Sequence, residues 1–355
     1  MDHIWWTQMV KPGAFVRNLV DTLFDEQDVI LQLPGAVPWY DTFLSEIENG
    51  LIGLGCQREV TFAEYDAALD PGEWLLNTFV KKEVRRTYRI GVSHASFLAS
   101  LPELTLHNSV VWLQNITEKG MTGWLSFIRD YRKQLPKNLQ GALFVLEYRG
   151  HLGHIATGKA KLISFRSEIS SYDRYAFCTL IASGSRLNAD VLPYLAELVS
   201  SVCVDDIELC AACIEREEQF ARDPEACLRE IAENERHSDG SEYSIEEPLA
   251  ALDQLVWKSQ IRFVFPLLEQ YRMRFVQKHW KDISNMLPYT NQFNETFSVP
   301  EEVELGLLYA FTSQGAVQMS DNEEFSVLRK VKDMRNDLAH LRPVSYEDIL
   351  FLLAR

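Results

Sequence analysis

The first two hundred residues alternate between short apolar runs and longer amphipathic segments. The clearest apolar runs are residues 29–33, 110–113 and 142–146, each about the length of a buried strand. Between them, as in residues 123–134, apolar side chains recur at helical spacing. Short buried strands separated by helices are typical of a mostly parallel sheet with helical crossovers. The pattern therefore predicts an α/β domain over residues 1–203. Further candidate strands are residues 87–92, 161–165 and 175–181.

The pattern changes after a stretch of turn-forming residues at 237–242, which reads His-Ser-Asp-Gly-Ser-Glu. Beyond it, strand-like runs are almost absent and the apolar spacing is helical. The predicted helices are residues 246–286, 300–313, 323–341 and 345–353. This pattern predicts an all-α helical bundle over residues 246–355. Residues 204–245 are then a helical connector and loop.

Composition limits the partners of the chain. The formal net charge of -16 argues against broad electrostatic affinity for nucleic acid, although a local basic cleft is compatible with it. Two clusters could form such a cleft, or could simply be solvated helix faces. One lies at residues 81–86. The other comprises Arg262, Arg272, Arg274, Lys278 and Lys281.

Neither a membrane span nor a secretory signal is evident, so we expect a cytoplasmic protein without a membrane partner. Cys210 and Cys213 have the spacing of a metal knuckle, but they lie in a helical segment and no second pair follows. We expect reduced, buried thiols at these positions. His151 and His154 share a loop without a nearby carboxylate or Cys ligand. The sequence therefore predicts no metal and no cofactor.

The turn after the first apolar run is where a parallel sheet would bind a phosphate. Residues 34–38 contain one glycine, two prolines and no Lys, so a phosphate-binding loop is not expected. Gln114 and Asn115 follow the run at 110–113, where a nucleoside triphosphatase would place an acidic magnesium ligand. The order of elements nevertheless resembles P-loop ATPases of the AAA and STAND types. The resemblance implies a Rossmann-like or degenerate P-loop-like module without Walker motifs; the alternative is a structural platform without a ligand.

Arg335, Asn336 and His340 stand near the end of the third predicted helix of the C-terminal bundle. Arg335 and His340 are five positions apart, about 140° around a helix, and both side chains are long enough to reach one cleft. An Arg can hold a phosphate with its planar fork, and a His can move a proton near neutral pH. The alternative is an ordinary helix end with a histidine at its negative pole.

An all-α bundle with Arg-Asn-x-x-x-His near its end resembles the HEPN superfamily. The resemblance implies metal-independent RNA cleavage at a site shared by two subunits. His340 would move a proton, Arg335 would hold the scissile phosphate, and Asn336 would orient the phosphate or the histidine. A homodimer would then be required, with a cleft lined by Arg329, Lys330, Lys332 and Arg342. Asp333 and Asp337 lie close to the motif and would either repel RNA or pair with Arg335 and Lys332.

Three functions remain open from the sequence. One is a regulated HEPN endoribonuclease, acting on RNA as a prokaryotic defence or stress effector. Another is a catalytically inactive scaffold, in which a degenerate ATPase-like domain and a HEPN-like dimerisation module bind another protein. The third is a nucleotide-activated sensor, in which the first domain binds a small phosphorylated signal.

Overall fold

A computed structural model describes residues 1–65, 69–153, 157–165, 169–244, 250–319 and 321–355. The chain forms two compact units, Met1–Asp173 and Arg174–Arg355. This division falls earlier than the boundary predicted near residue 203. The reason is visible in the second unit, where the helix of residues 192–202 packs along a long later helix. There the Gln260 side chain donates a hydrogen bond of 3.2 Å to the Tyr194 hydroxyl.

The first unit contains a five-stranded parallel sheet, as the apolar runs predicted. The strand order is β2-β3-β4-β1-β5, so the chain starts next to one edge, crosses to the opposite edge at β2, returns through β3 and β4, and adds β5 beside β1. Val29 of β1 pairs with Val145 of β4, and Val110 of β3 pairs with Leu143 of β4. β3 and β4 are buried along most of their length, which explains their continuous apolar sequence. The strands are β1 Val29–Leu33, β2 Glu59–Glu64, β3 Ser109–Gln114, β4 Leu143–Arg149 and β5 Lys161–Ser164.

Helices accompany this sheet. Thr117 caps α7 by accepting a 3.1 Å hydrogen bond from the Gly120 amide, and α7 buries Trp124 and Tyr131 in the core. Trp5 and Trp6 are likewise buried, so these tryptophans serve core packing. The helices are α1 Asp2–Gln8, α2 Val10–Phe24, α3 Tyr40–Gly53, α4 Pro71–Phe79, α5 Lys82–Arg85, α6 His94–Ala99 and α7 Glu118–Gln134, with a 3₁₀ turn at Thr105–Asn108.

Two predicted strands were wrong. Residues 87–92 form turns, closed by the Tyr88 hydroxyl on the Val92 carbonyl and by Gly91 at a φ of +100°. Residues 175–181 lie in α8, Ser171–Ala182. Phe177, Cys178 and Ile181 are its buried side chains there, and this spacing marks one face of a helix rather than alternate residues of a strand.

Helices dominate the second unit. One small antiparallel hairpin, β6 Tyr289–Thr290 with β7 Thr296–Phe297, follows the long helix α13, which contains Pro266. Residues 245–249, where that helix was predicted to begin, lie outside the described residues. The helices are α9 Leu192–Val202, α10 Ile207–Glu215, α11 Glu218–Arg222, α12 Pro224–Asn234, α13 Ala250–Lys278, α14 Trp280–Ser284, α15 Leu305–Ser313, α16 Asn322–Ala339 and α17 Tyr346–Leu353, with a 3₁₀ turn at Pro300–Glu302.

Across the described ranges, every helix is too short or too polar to cross a bilayer.

Candidate functional site

Helix α16 carries the three predicted catalytic residues. Its N-terminus is capped by Asp321, whose carboxylate accepts a 2.8 Å hydrogen bond from the Glu324 amide. One face of the helix is buried at helical spacing through Val327, Leu328, Val331, Met334 and Leu338. The indole of Trp257, on α13, donates to the Leu338 carbonyl at 2.7 Å. The end of α16 is therefore held by packing and by a side-chain hydrogen bond.

The helix stops at His340, in the geometry of a Schellman motif. The Arg342 amide bonds the Asp337 carbonyl at 2.9 Å, and the Leu341 amide bonds the Leu338 carbonyl at 3.3 Å. Leu341 takes the left-handed conformation, with φ at +60°, at a position where glycine is usual. His340 is consequently the C-cap residue, and its side chain is exposed to solvent.

Arg335 points to a neighbouring helix. Its Nη2 lies 3.0 Å from Oε2 of Glu304, the residue that precedes α15. The Arg335 side chain is 32% exposed and that of Glu304 is 63% exposed. The pair is therefore solvated and weak, worth about 0.2–1 kcal/mol.

Asn336 is half-buried, and its backbone carbonyl accepts the 3.1 Å hydrogen bond from the His340 amide. The structure places Arg335, Asn336 and His340 within the last turn and a half of one helix. Among the described hydrogen bonds and ion pairs, none joins the side chains of these three residues to one another. Within one chain the guanidinium of Arg335, beside Glu304, and the imidazole of His340, at the helix end, are therefore two separate solvent-accessible groups.

The cations predicted to line a dimer cleft are largely neutralised within the chain. Lys332 pairs with Asp333 at 2.6 Å. Lys330 pairs with Asp348 at 2.8 Å, and Arg342 pairs with Asp337 at 2.7 Å. Asp333 thus pairs with Lys332 as expected, whereas the partner of Asp337 is Arg342 rather than Arg335.

A cavity of about 390 Å³ opens elsewhere in the second unit, beside α13 and α16. Its lining is mixed in charge: Lys278 lies 2.6 Å from Glu324, and Arg355 lies 2.8 Å from Glu323. The motif residues are not part of this lining.

The second candidate location is the carboxyl edge of the sheet in the first unit. Glu147, on β4, is fully buried there and accepts hydrogen bonds from Tyr40, from Trp112 Nε1 at 2.8 Å and from Arg149 Nε at 2.7 Å. Gln114 donates to the Tyr40 hydroxyl at 3.0 Å. Burial, reinforced by the charge of Glu147, raises the pKa of Tyr40 above its ordinary value, so the phenol stays protonated and donates.

This network occupies the side of β1 and β4 where parallel sheets bind ligands. The Arg149 guanidinium lies 4.3 Å from the centre of the Tyr40 ring and reaches the Gly35 carbonyl at 3.4 Å. In the turn of residues 34–38, where a P-loop would bind phosphate, the Gly35 carbonyl instead accepts a hydrogen bond from Arg149. The position where a nucleoside triphosphatase would place its acidic magnesium ligand holds Gln114, whose amide is used in the same network.

Apart from Gln114, sequence reasoning did not single out the residues of this network. The available signal was a Glu followed by Tyr-Arg inside an otherwise apolar strand, since a buried carboxylate requires hydrogen-bonding partners. Its partners come from β3 and α3, far apart in the sequence, and only the fold identifies them.

Cysteines and histidines do not form a metal centre in the described part of the chain, where no group of three metal-ligating side chains is suitably arranged. Cys210 and Cys213 are buried on α10, and the Cys203 and Cys213 sulfurs are 3.6 Å apart as free thiols. His154 lies outside the described residues, so the loop with His151 stays untested.

Comparisons with known proteins identify no family. No family model matches the chain, and no curated protein sequence is similar enough to count as a relative. Among solved structures, the chain is similar to a replication initiator DnaA bound to AMPPCP and single-stranded DNA, with 13% identity, 70% of this chain and 77% of that chain covered, and a TM-score of 0.33.

Two further structures are similar at the same low level. The Aeropyrum pernix Orc1 protein in complex with DNA shares 14% identity over 95% of this chain and 87% of that chain, with a TM-score of 0.34. A chain of the E. coli MS115-1 HORMA:CdnC:Trip13 complex shares 15% identity over 60% of this chain and 81% of that chain, with a TM-score of 0.29. Likeness at these identities and scores assigns neither a family nor a function.

Proposed function

We propose that this protein is a metal-independent endoribonuclease of the HEPN type, whose catalytic surface is the end of α16 in a helical bundle. The observation that carries the proposal is the placement of His340. A helix cap fixes its backbone while its side chain is exposed to solvent, and the Arg335 guanidinium on the same helix is held by a single solvated carboxylate. RNA cleavage needs an accessible imidazole and a guanidinium that can bind phosphate, and here the phosphate would replace a single solvated carboxylate at the guanidinium.

The reaction follows from these groups. The RNA 2′-hydroxyl attacks the adjacent phosphorus, the bond to the 5′-oxygen breaks, and the products are a cyclic phosphate and a 5′-hydroxyl. His340 takes the proton from the attacking oxygen or gives one to the leaving oxygen. Arg335 binds the phosphate and stabilises the charge that develops on it. Asn336 orients the phosphate or the imidazole.

One chain supplies one copy of the motif, so a symmetric pair of chains would bring two copies to the same RNA. RNA binding would then require the phosphate to replace the Glu304 carboxylate at Arg335. Because the Arg335–Glu304 pair is solvated, this exchange costs little. In this proposal the first unit is a degenerate ATPase-like module that controls assembly and does not turn over nucleotide.

The test is RNA degradation by the full chain in EDTA. We expect cleavage by the wild type and a loss of at least about 100-fold in Arg335→Ala and in His340→Ala, from the lost phosphate contact and the lost proton transfer. Arg186→Ala and His151→Ala are the matched controls, because both residues are exposed and neither belongs to the proposed cleft. If Arg335→Ala and His340→Ala degrade RNA as fast as their controls, the proposal fails.

The second candidate is a catalytically inactive scaffold. Two observations favour it: the sheet edge is occupied by the Glu147 network, and the cations flanking the motif are paired within the chain. A scaffold would form a stable complex with a protein partner in its native host and would not turn over RNA or ATP. RNA cleavage that depends on His340 would exclude this alternative.

A further inference from the structure

The segment between α4 and α6 is the most basic stretch of a strongly acidic protein. Residues 81–89 contain five cations and one carboxylate, Glu83. The charge of the chain is also uneven: the first unit has 17 Lys and Arg against 20 Asp and Glu, whereas the second has 18 against 31. A polyanion approaching the first unit therefore meets a nearly neutral surface with one basic segment. We call residues 81–92 the basic segment; its cations are Lys81, Lys82, Arg85, Arg86 and Arg89.

These cations are available for a partner. Within the part of the chain that the structure describes, no carboxylate lies at ion-pair distance from any of the five, and the only side-chain hydrogen bond among them joins Arg85 to Asn77 at 2.8 Å. By contrast, the other basic cluster found in the sequence is largely paired, with Arg262 on Glu197, Arg272 on Glu269 and Lys278 on Glu324.

The basic segment is also anchored, so its cations have a defined position. Val84 and Tyr88 pack against the core of the first unit, and the Tyr88 ring stacks on His94 with ring centres 5.0 Å apart. The Tyr88 hydroxyl donates to the Val92 carbonyl at 2.7 Å. The turn closed in this way leaves the Ile90 side chain fully exposed beside the cations.

We propose that the basic segment, residues 81–92, is a docking surface for single-stranded nucleic acid. Lys and Arg side chains without internal partners contact the phosphates. Ile90 supplies an apolar contact to an unpaired base, which a single strand exposes and a duplex conceals. This surface belongs to the first unit, and the α16 motif belongs to the second. It binds the backbone of RNA or DNA, whether or not the chain cleaves RNA.

The experiment measures fluorescence anisotropy of a labelled oligothymidine strand of about 20 nucleotides, a DNA that lacks the 2′-hydroxyl needed for cleavage, against the full chain at several salt concentrations. Lys81→Ala, Lys82→Ala, Arg86→Ala and Arg89→Ala are combined, and Arg85 is kept for its bond to Asn77. We expect at least a tenfold loss of affinity and a fall of about 3 in the salt slope, since each phosphate contact on a single strand contributes about 0.7. An RNA strand of the same length, measured in the His340→Ala background, should behave alike.

The matched control removes the same charge elsewhere in the first unit, with Ala at Lys119, Arg129, Lys133 and Lys137, all exposed. The control should keep its affinity within about twofold; an equal loss in both quadruple variants would overturn the proposal as an effect of net charge. Ile90→Ser should weaken binding severalfold without changing the salt slope, and no weakening would refute the single-strand preference.

Two other outcomes would also overturn the proposal that the basic segment binds single-stranded nucleic acid. If polyglutamate displaces the oligonucleotide at equal charge concentration, the segment recognises acidic chains in general. If the quadruple variant converts a dimer to a monomer in light scattering, the segment docks an acidic second copy instead.

Discussion

Both candidate sites contain an Arg–Glu pair, but the two pairs differ in burial. At the sheet edge, Glu147 is fully buried and its partner Arg149 is 24% exposed. At the end of α16, Glu304 is 63% exposed and its partner Arg335 is 32% exposed. Glu147 also bonds Tyr40 and Trp112, whereas Glu304 has no further side-chain hydrogen bond in the described part of the chain. The first pair is part of a core network, and the second is a single contact in water.

The difference shows which arginine a phosphate could take over. Displacing Arg149 would leave the fully buried Glu147 carboxylate without its cation, with only the Tyr40 hydroxyl and the Trp112 indole as donors, at a free-energy cost of several kcal/mol. Displacing Glu304 from Arg335 returns a carboxylate to solvent at a cost below about 1 kcal/mol. A ligand-binding role therefore fits the α16 pair, and a structural role fits the pair at the edge of the sheet.

The largest effect is expected from Glu147→Ala. It removes the acceptor of Trp112 Nε1 and Arg149 and leaves a buried donor and a partly buried guanidinium without their partner. Breaking one side of a buried network should lower the free energy of unfolding by about 3 kcal/mol. Urea unfolding monitored by tryptophan fluorescence measures this change.

Glu103→Ala, at an exposed position of the same unit, is the control and should change stability by less than about 0.5 kcal/mol. If Glu147→Ala lowered the free energy of unfolding no more than this control does, the buried pair would contribute as little as the α16 pair, and the proposed difference between the two pairs would be wrong.

A smaller effect is expected from Glu304→Gln, which should raise the rate of RNA cleavage. Neutralising the carboxylate frees Arg335 for a phosphate, so RNA cleavage in EDTA should rise about two- to fivefold, the equivalent of an exposed ion pair. This prediction depends on the proposed function. Glu301→Gln, an exposed neighbour in the same segment, should leave the rate unchanged. Slower cleavage by Glu304→Gln would indicate that the pair positions Arg335 instead of occupying it.

Sequence patterns predicted the sheet better than the contents of its edge. Strands β1, β3 and β4 were recognisable because both of their faces are buried, which imposes a continuous apolar run. Residues 175–181 were wrongly predicted to be a strand, because a short apolar run fits a buried helix as well as a buried strand. Periodicity cannot identify the partners of Glu147, since they come together only through the strand order.

At the α16 motif, the sequence predicted the helix and its approximate end but not the contacts of Arg335. The predicted helix, residues 323–341, ends within two residues of the observed end of α16 at Ala339. Glu304 lies 31 positions earlier, on another element, and nothing in the local pattern links it to Arg335. The assignment of these residues to RNA cleavage stays a prediction that the experiments above decide.

The smallest expected effect concerns the strained cap that fixes His340. Leu341 has a φ of +60° and a side chain that is 67% exposed, so replacing it with glycine removes strain and loses little packing. Relief of the left-handed conformation is worth about 1–2 kcal/mol, and the greater freedom of glycine in the unfolded chain offsets roughly 0.5–1 kcal/mol. Leu341→Gly should therefore stabilise the second unit by roughly 0.5 kcal/mol in urea unfolding. Leu341→Ala retains the β-carbon and should give no gain. If Leu341→Gly is stabilising and the rate of RNA cleavage is unchanged, the cap sets only the end of the helix. If the variant is stabilising but the cleavage rate falls, the strained Leu341 also holds the imidazole of His340 where the reaction needs it.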